Sequence, residues 1–232
     1  MKALILAAGY ATRLYPLTRE YPKPLLKVRR KSIIDYIIDK LAVLDEVDEI
    51  IIVTNNKFIS KFRKWKESVR SRKPITLVDD LTRNNTDRLG AIGDVNFAIN
   101  KKRIKDDLLV IGGDNLFSGG LIRFLKFALD KKPAITVGLY KLKDLKEAVR
   151  YGVAKLNKDK RVIYFKEKPS KPDSNLVAMC LYYIPGARLG LVKDYMLISK
   201  KADATGNYID WLKDRIDTYG FIFRGWWYDI GD

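Results

Sequence analysis

The chain has 232 residues, a formal net charge of +17, 47% hydrophobic and 31% charged residues, one cysteine and no histidine. That length suits one large core, and no apolar run reaches the ~18 residues of a membrane span. The lone Cys180 excludes an internal disulfide framework, and the missing histidine excludes a Ser-His-Asp triad, histidine zinc sites and imidazole acid-base chemistry. Residues 2–7 form an apolar strand that ends at Gly9, with Arg13 and Lys23 following within one loop's reach. Lys2 ahead of an apolar stretch looks like a signal peptide, but Gly9, Arg13 and Lys23 interrupt it too soon. The opening therefore reads as the core strand of a cytoplasmic protein.

Residues 32–44 space Ile33, Ile34, Ile37, Ile38 and Leu41 on one helical face, and Phe58, Phe62, Trp65 and Val69 do the same for a second helix. Strands are predicted at 49–53, 75–78 and 108–111. Helices are predicted at 89–99, with Thr86 or Asp87 as its cap, and at 118–129. Beyond Pro133 the pattern shifts to strands at 134–140, 153–156, 162–165 and 177–184, then helices at 188–199 and 207–216 and a last strand at 219–223. No repeat or low-complexity linker divides the chain. The expectation is an α/β fold of one domain over 1–232, with a doubly wound, mostly parallel, Rossmann-like sheet and a mixed-strand second half. Ligands of such sheets gather beyond the carboxyl ends of the strands, which places the Gly9 loop and the Gly112-Gly113-Asp114 loop in one cleft.

The opening loop has the parts of a phosphate cradle: a strand end that fixes the turn, a glycine that lets backbone N–H groups approach, and two cations. It fits neither G-x-x-x-x-G-K-[ST] nor G-x-G-x-x-G. Asp114, leaving a buried strand through two glycines, either caps a following helix or offers Mg²⁺ a hard oxygen ligand. Trp226-Trp227-Tyr228-Asp229 packs aromatics against an acid, and Glu167-Lys168-Pro169 reads locally as a charged turn. Asn84 and Asn85 suit a solvent-exposed turn. The positive charge is spread along solvent-facing helices and lacks a helix-turn-helix, zinc-finger or RNP motif, so a cleft for a small polyphosphate fits it better than nucleic acid. Absent glutamine, with only three Met and one Cys, alongside abundant Lys and Arg hints at a thermophilic source.

Residues 6–14 (Leu-Ala-Ala-Gly-Tyr-Ala-Thr-Arg-Leu) and Lys23-Pro24-Leu25-Leu26 resemble the signature loop of the sugar-1-phosphate nucleotidyltransferases, the nucleoside-diphosphate-sugar pyrophosphorylases that include the glucose-1-phosphate thymidylyltransferases. That family usually has Gly where Ala11 stands. The resemblance implies a nucleotide-binding half over about 1–130 and a sugar-phosphate-binding half over about 131–232. It implies Arg13 and Lys23 as catalytic cations, and Leu6, Ala8, Gly9, Asn85 and Gly90 against the nucleotide. Asp114 and Asp229 become the Mg²⁺ ligands, and Tyr151, Gly152, Glu167, Lys168 and Asn175 the sugar-phosphate contacts. The family's Gln-containing base loop is missing, and Met179-Cys180 stand where related thymidylyltransferases often have Thr-Gly, so base and hexose stay open. The implied reaction joins a nucleoside triphosphate to a sugar 1-phosphate and releases pyrophosphate, with no membrane partner and with a homo-oligomer compatible. The alternatives are transfer to a non-sugar phosphate such as phosphocholine or inositol phosphate, or a non-catalytic, basic RNA-binding or regulatory protein on the same fold.

Overall fold

The computed structural model describes residues 1–199 and 204–230. The chain runs β1 (Lys2–Leu6), β2 (Lys27–Val28), β3 (Lys31–Ser32), α1 (Ile33–Ala42), β4 (Glu49–Thr54), α2 (Ile59–Ser68), β5 (Ile75–Asp79), α3 (Ala91–Lys102) and β6 (Leu108–Gly112). It continues through β7 (Asn115–Phe117), α4 (Leu121–Asp130), β8 (Ile135–Lys141), β9 (Gly152–Leu156), β10 (Val162–Glu167) and β11 (Leu176–Ile184). Helices α5 (Gly190–Ile198) and α6 (Thr205–Lys213) and strands β12 (Thr218–Phe223) and β13 (Trp227–Asp229) complete it.

Strands β1, β4, β5 and β6 are parallel and lie in the order β6-β1-β4-β5. Their near-continuous apolar runs follow from burial on both faces. Alternation along each strand then sorts the core into two layers. Ala3, Ile5, Ile50, Ile52, Leu109 and Ile111 face one layer, with the apolar stripes of α1, α2 and α4. Leu4, Ile51, Val53, Leu108 and Val110 face the other, with α3, α5 and α6. Helix α1 starts on a capping box, in which the Asp35 carboxylate accepts the Ser32 N–H at 2.8 Å. Such a cap contributes about 1 kcal/mol and fixes where the helix begins.

The crossover from β1 to β4 carries α1 on one face, whereas the crossover from β5 to β6 carries α3 on the other. The winding direction therefore reverses between β1 and β6, and the crevice opens at their carboxyl ends. Strand β11 pairs antiparallel with β6 and β8, and β9, β10 and β12 extend the sheet from there, so strands from both parts of the chain share one sheet. A separate two-stranded ribbon, β7 with β13, lies at the head of this crevice.

The mostly parallel sheet with antiparallel strands is the fold that the sequence predicts. Two details differ. Helix α3 is capped by Gly90 at φ 79°, not by Thr86 or Asp87. Asp87 instead accepts the Arg83 and Asn84 N–H groups at 3.0 Å each, closing a local turn. Asp114 caps no helix: it leads directly into β7, and α4 starts only at Leu121. Residues 231–232, the end of the last aromatic-acidic motif, lie outside the described residues.

Candidate active site

The loop after β1 is tied down from behind. The Ala7 N–H bonds the Val53 carbonyl at 2.8 Å, and the Asn55 amide donates to the Ala8 carbonyl at 2.8 Å. Thr18 Oγ1 donates to the Ala11 carbonyl at 2.7 Å. Gly9 is exposed, with nothing within 4 Å of the position a Cβ would occupy, so its backbone faces open space. The left-handed turn is made by Ala11, at φ 46° and ψ 44°, where a non-glycine residue costs roughly 1–2 kcal/mol. Beside it, the Gly113 N–H bonds the Leu6 carbonyl at 2.8 Å. A Cβ on Gly113 would fall 2.7 Å from that oxygen, so only glycine lets the two loops meet.

At the meeting point three charged side chains converge. The Lys23 ammonium lies 2.8 Å from Asp114 Oδ2 and 3.5 Å from Asp229 Oδ1. Asp229 arrives from 115 positions later because β13 pairs with β7, setting Asp229 opposite Asn115. Trp227 locks that ribbon: its indole N–H donates to Asn115 Oδ1 at 2.7 Å, while the Asn115 amide donates to the Met179 carbonyl at 2.6 Å. Arg13 lines the same cavity as Lys23, Asp114 and Asp229. A cation already sits between the two carboxylates, and hard oxygen ligands of this kind are the donor set that Mg²⁺ takes alongside substrate phosphates. The residues present fit a divalent ion.

The adjoining cavity, about 320 Å³, is lined by Leu6, Ala8 and Gly9 on one wall and by Asn85, Arg88 and Gly90 on the other. Asp94 and Cys180 also line it. Asn84 serves the turn, its Oδ1 accepting the Thr86 N–H at 2.9 Å, whereas Asn85 reaches the cavity.

On the other side, Gly152 and Glu167 are opposite partners in the β9–β10 ladder, and the Lys168 N–H bonds the Tyr151 carbonyl at 3.0 Å. The Tyr151 ring packs on Trp227 at 5.1 Å, linking this wall to the ribbon that carries Asp229. Burial pushes the Glu167 carboxyl up, with Lys168 partly opposing the shift. The Asn175 amide donates to the Leu142 carbonyl at 2.7 Å, at the end of β8.

Sequence reasoning missed several neighbours. Gly206 in the first turn of α6 lies so close to Glu167 that a Cβ there would overlap Glu167 Oε2. Thr205 Oγ1 accepts a 2.7 Å bond from the Tyr182 hydroxyl. Cys180 takes φ 51°, a glycine-like backbone, at a register shift in β11. Its thiol is pushed up by burial and by the nearby Asp114 and Asp229 carboxylates, which keeps it protonated. Arg88 and Asp94 sit on the cavity wall because α3 starts there. Local sequence signals only a turn and a helix at these positions.

Residues 2–232 match the family model described as Nucleotidyl transferase. The chain belongs to that nucleotidyl transferase family. Among curated relatives, it is 29% identical to the bifunctional protein GlmU of Methanocaldococcus jannaschii, over 100% of this chain and 51% of that protein. It is 26% identical to the glucose-1-phosphate adenylyltransferase of Fusobacterium nucleatum, over 99% of this chain and 63% of that protein. The chain thus spans about half to two-thirds of the length of these relatives. Among solved structures, a Bacillus anthracis protein assigned as a glucose-1-phosphate thymidylyltransferase and crystallised with sucrose superposes with TM-score 0.83 at 24% identity, covering 100% of this chain and 90% of the other. A UDP-glucose pyrophosphorylase bound to UDP-glucose gives 0.81 at 19% identity, covering 100% and 93%. At these identities the likeness shows the nucleotidyl transferase fold.

Proposed function

We propose that this nucleotidyl transferase joins a nucleoside triphosphate to a sugar 1-phosphate, giving a nucleoside-diphosphate sugar and pyrophosphate. The observation that carries the reading is the placement of Lys23 between Asp114 and Asp229 at the switch-point crevice. The names of the relatives support a sugar phosphate over phosphocholine, inositol phosphate or RNA. A sugar phosphate is already ionised at neutral pH, so no general base is needed and the lack of histidine is no obstacle. The barrier is electrostatic: two anions must approach in line while pyrophosphate leaves.

The Gly9 loop would hold the triphosphate on backbone N–H groups, with Arg13 neutralising the leaving pyrophosphate. Lys23 would turn from the carboxylates to the α-phosphoryl as the triphosphate arrives, and Lys168 would meet the sugar phosphate. Glu167 would accept bonds from sugar hydroxyls. Asp114 and Asp229 would hold the divalent ion, read here as Mg²⁺, which when bound supplies charge stabilisation to the transferring phosphoryl. Holding both reactants aligned contributes roughly 7–11 kcal/mol in favourable model cases.

No helix among the described residues is long and apolar enough to cross a membrane, which supports a cytoplasmic enzyme. The absence of glutamine and the scarcity of Met and Cys support assays at elevated temperature. The test is a matrix of nucleoside triphosphates against sugar 1-phosphates and other phosphorylated acceptors, with Mg²⁺, read as pyrophosphate release. Turnover confined to sugar 1-phosphates is expected. Turnover only with phosphocholine or inositol phosphate, or none at all, rejects the reading.

A further inference from the structure

Glycine in the first turn of a helix is a poor local choice, since alanine forms helix more readily. Helix α6 nonetheless carries Gly206 as its second residue, and its φ is not positive, so glycine gives the backbone no needed freedom there. It gives space instead. A Cβ on Gly206 would overlap Glu167 Oε2 and come 2.9 Å from both Glu167 Cδ and Phe165 Cε1. Across the slot, a Cβ on Gly152 would come 3.0 Å from the same Oε2 and 2.6 Å from Phe165 Cζ. Two glycines from different elements therefore bound one carboxylate oxygen, with the buried Phe165 ring beside it.

Neither wall of this slot can withdraw. Gly152 is the ladder partner of Glu167 between β9 and β10. The start of α6 is pinned to β11, because the buried Tyr182 donates its hydroxyl to Thr205 Oγ1 at 2.7 Å. Tyr208 in the same helix packs on Tyr195 of α5, with ring centroids 5.2 Å apart. The positive end of the α6 dipole also favours an anion at its first turn. A methyl group at 206 is thus admitted only when the flexible end of Glu167 turns out of the slot. We infer that Gly206 is a positioning residue for the sugar phosphate: its missing side chain seats the Glu167 carboxylate at the depth from which it accepts a bond from a sugar hydroxyl. The inference rests on the reading of Glu167 as that acceptor. Among the described residues none of α6 lines the nucleotide cavity, so the effect belongs to the sugar substrate alone.

Steady-state kinetics of Gly206→Ala, Glu167→Ala and the double variant, with Mg²⁺ and each substrate varied, test it. Gly206→Ala should raise KM for the sugar 1-phosphate ~10-fold, the scale of a hydrogen bond to a charged group. Its kcat and its KM for the nucleoside triphosphate should stay within about 2-fold of wild type. In the Glu167→Ala background the same substitution should change KM by less than about 2-fold, because no carboxylate is left to displace. Multiplied losses in the double variant overturn the inference. So does an unchanged sugar KM in Gly206→Ala beside a raised one in Glu167→Ala. Should Gly206→Ala fold poorly, the double variant decides. A melting temperature restored to that of Glu167→Ala supports the slot, whereas a continued loss makes the Phe165 ring the obstacle and overturns it. Unchanged KM for every sugar 1-phosphate in Glu167→Ala overturns the assignment of Glu167 and the inference together, with nucleotidyl transfer still standing. Absence of turnover in the wild type overturns the reaction itself.

Discussion

Where β1 and β6 empty into the cleft, the strand residues 3–6 and Leu108–Gly112 are apolar or glycine, and the charges of Arg13, Lys23 and Asp114 stand at the rim. The opposite wall, from β9, β10 and β11, sets two of its groups on left-handed backbone, Lys168 at φ 44° and Cys180 at φ 51°, where the first region has one such residue, Ala11 at φ 46°. The first region positions charge by topology: a parallel switch point delivers two loops and a distant ribbon to one spot whatever the local sequence prefers. The second positions shape by local strain, which persists only because the surrounding ladder over-determines it. Charge placement should therefore govern rate, and the strained wall should govern which second substrate is accepted.

The sharpest way to break that comparison is Asp114→Asn. It keeps the size of the side chain and removes half of the carboxylate pair around Lys23. The expected loss is ~10²–10³-fold in kcat, the scale of one preorganised electrostatic group. Steady-state kinetics with both substrates varied will show whether kcat falls; turnover within a factor of about two of wild type would contradict the role. Glu167→Ala probes the other wall and should raise KM for the sugar 1-phosphate ~10-fold or more, the scale of a charged hydrogen bond. Nucleoside triphosphate affinity, measured separately, should stay unchanged. If Glu167→Ala weakens both substrates equally, the two walls do not act separately.

The first wall is also the one that sequence makes legible. An apolar strand, a glycine turn and two cations are neighbours in the chain, so Gly9, Arg13 and Lys23 announce themselves. Asp114 follows a strand that is unmistakable from its burial pattern. Asp229 is legible only as a motif, since its partnership with Asp114 depends on a three-residue ribbon too short for periodicity to reveal. On the second wall, Gly206 and Thr205 meet Glu167 and Tyr182 across long loops, and no spacing rule reports such contacts. Asn175 is legible as a motif residue, but not its amide bond to the Leu142 carbonyl. The buried acids Asp80 and Asp94 escaped because neither lies in a recognisable pattern.

That pair also gives a pH test of smaller size. The Asp80 carboxyl is raised in the folded protein above its ordinary ~3.9, so protonation favours the fold. The resulting stability is present below that ordinary value and is lost as pH rises through the raised one. Each unit of elevation withdraws about 1.4 kcal/mol. Asp80→Asn cannot ionise and keeps both bonds from Thr82. Its melting temperature relative to wild type should rise as pH increases from about 4 into the neutral range. A difference that is flat with pH would mean that Asp80 titrates alike in folded and unfolded chains.

The smallest effects separate strain from fit. Ala11 and Cys180 share a left-handed backbone, and glycine at either position relieves roughly 1–2 kcal/mol. Glycine also loosens the unfolded chain, which takes back about 0.4–1 kcal/mol. Ala11 is only partly buried and its methyl group is small, so Ala11→Gly should stabilise by about 0.5–1 kcal/mol, or a few degrees in melting temperature. Cys180 adds the burial of a sulfur against the cleft, about 1 kcal/mol on the scale of a buried methylene, so Cys180→Gly should leave stability nearly unchanged. Thermal melts of the two variants side by side decide this. If Cys180→Gly gained as much as Ala11→Gly, its thiol would contribute nothing to packing. The strained wall would then keep a cysteine for what it excludes from the cleft rather than for what it holds together.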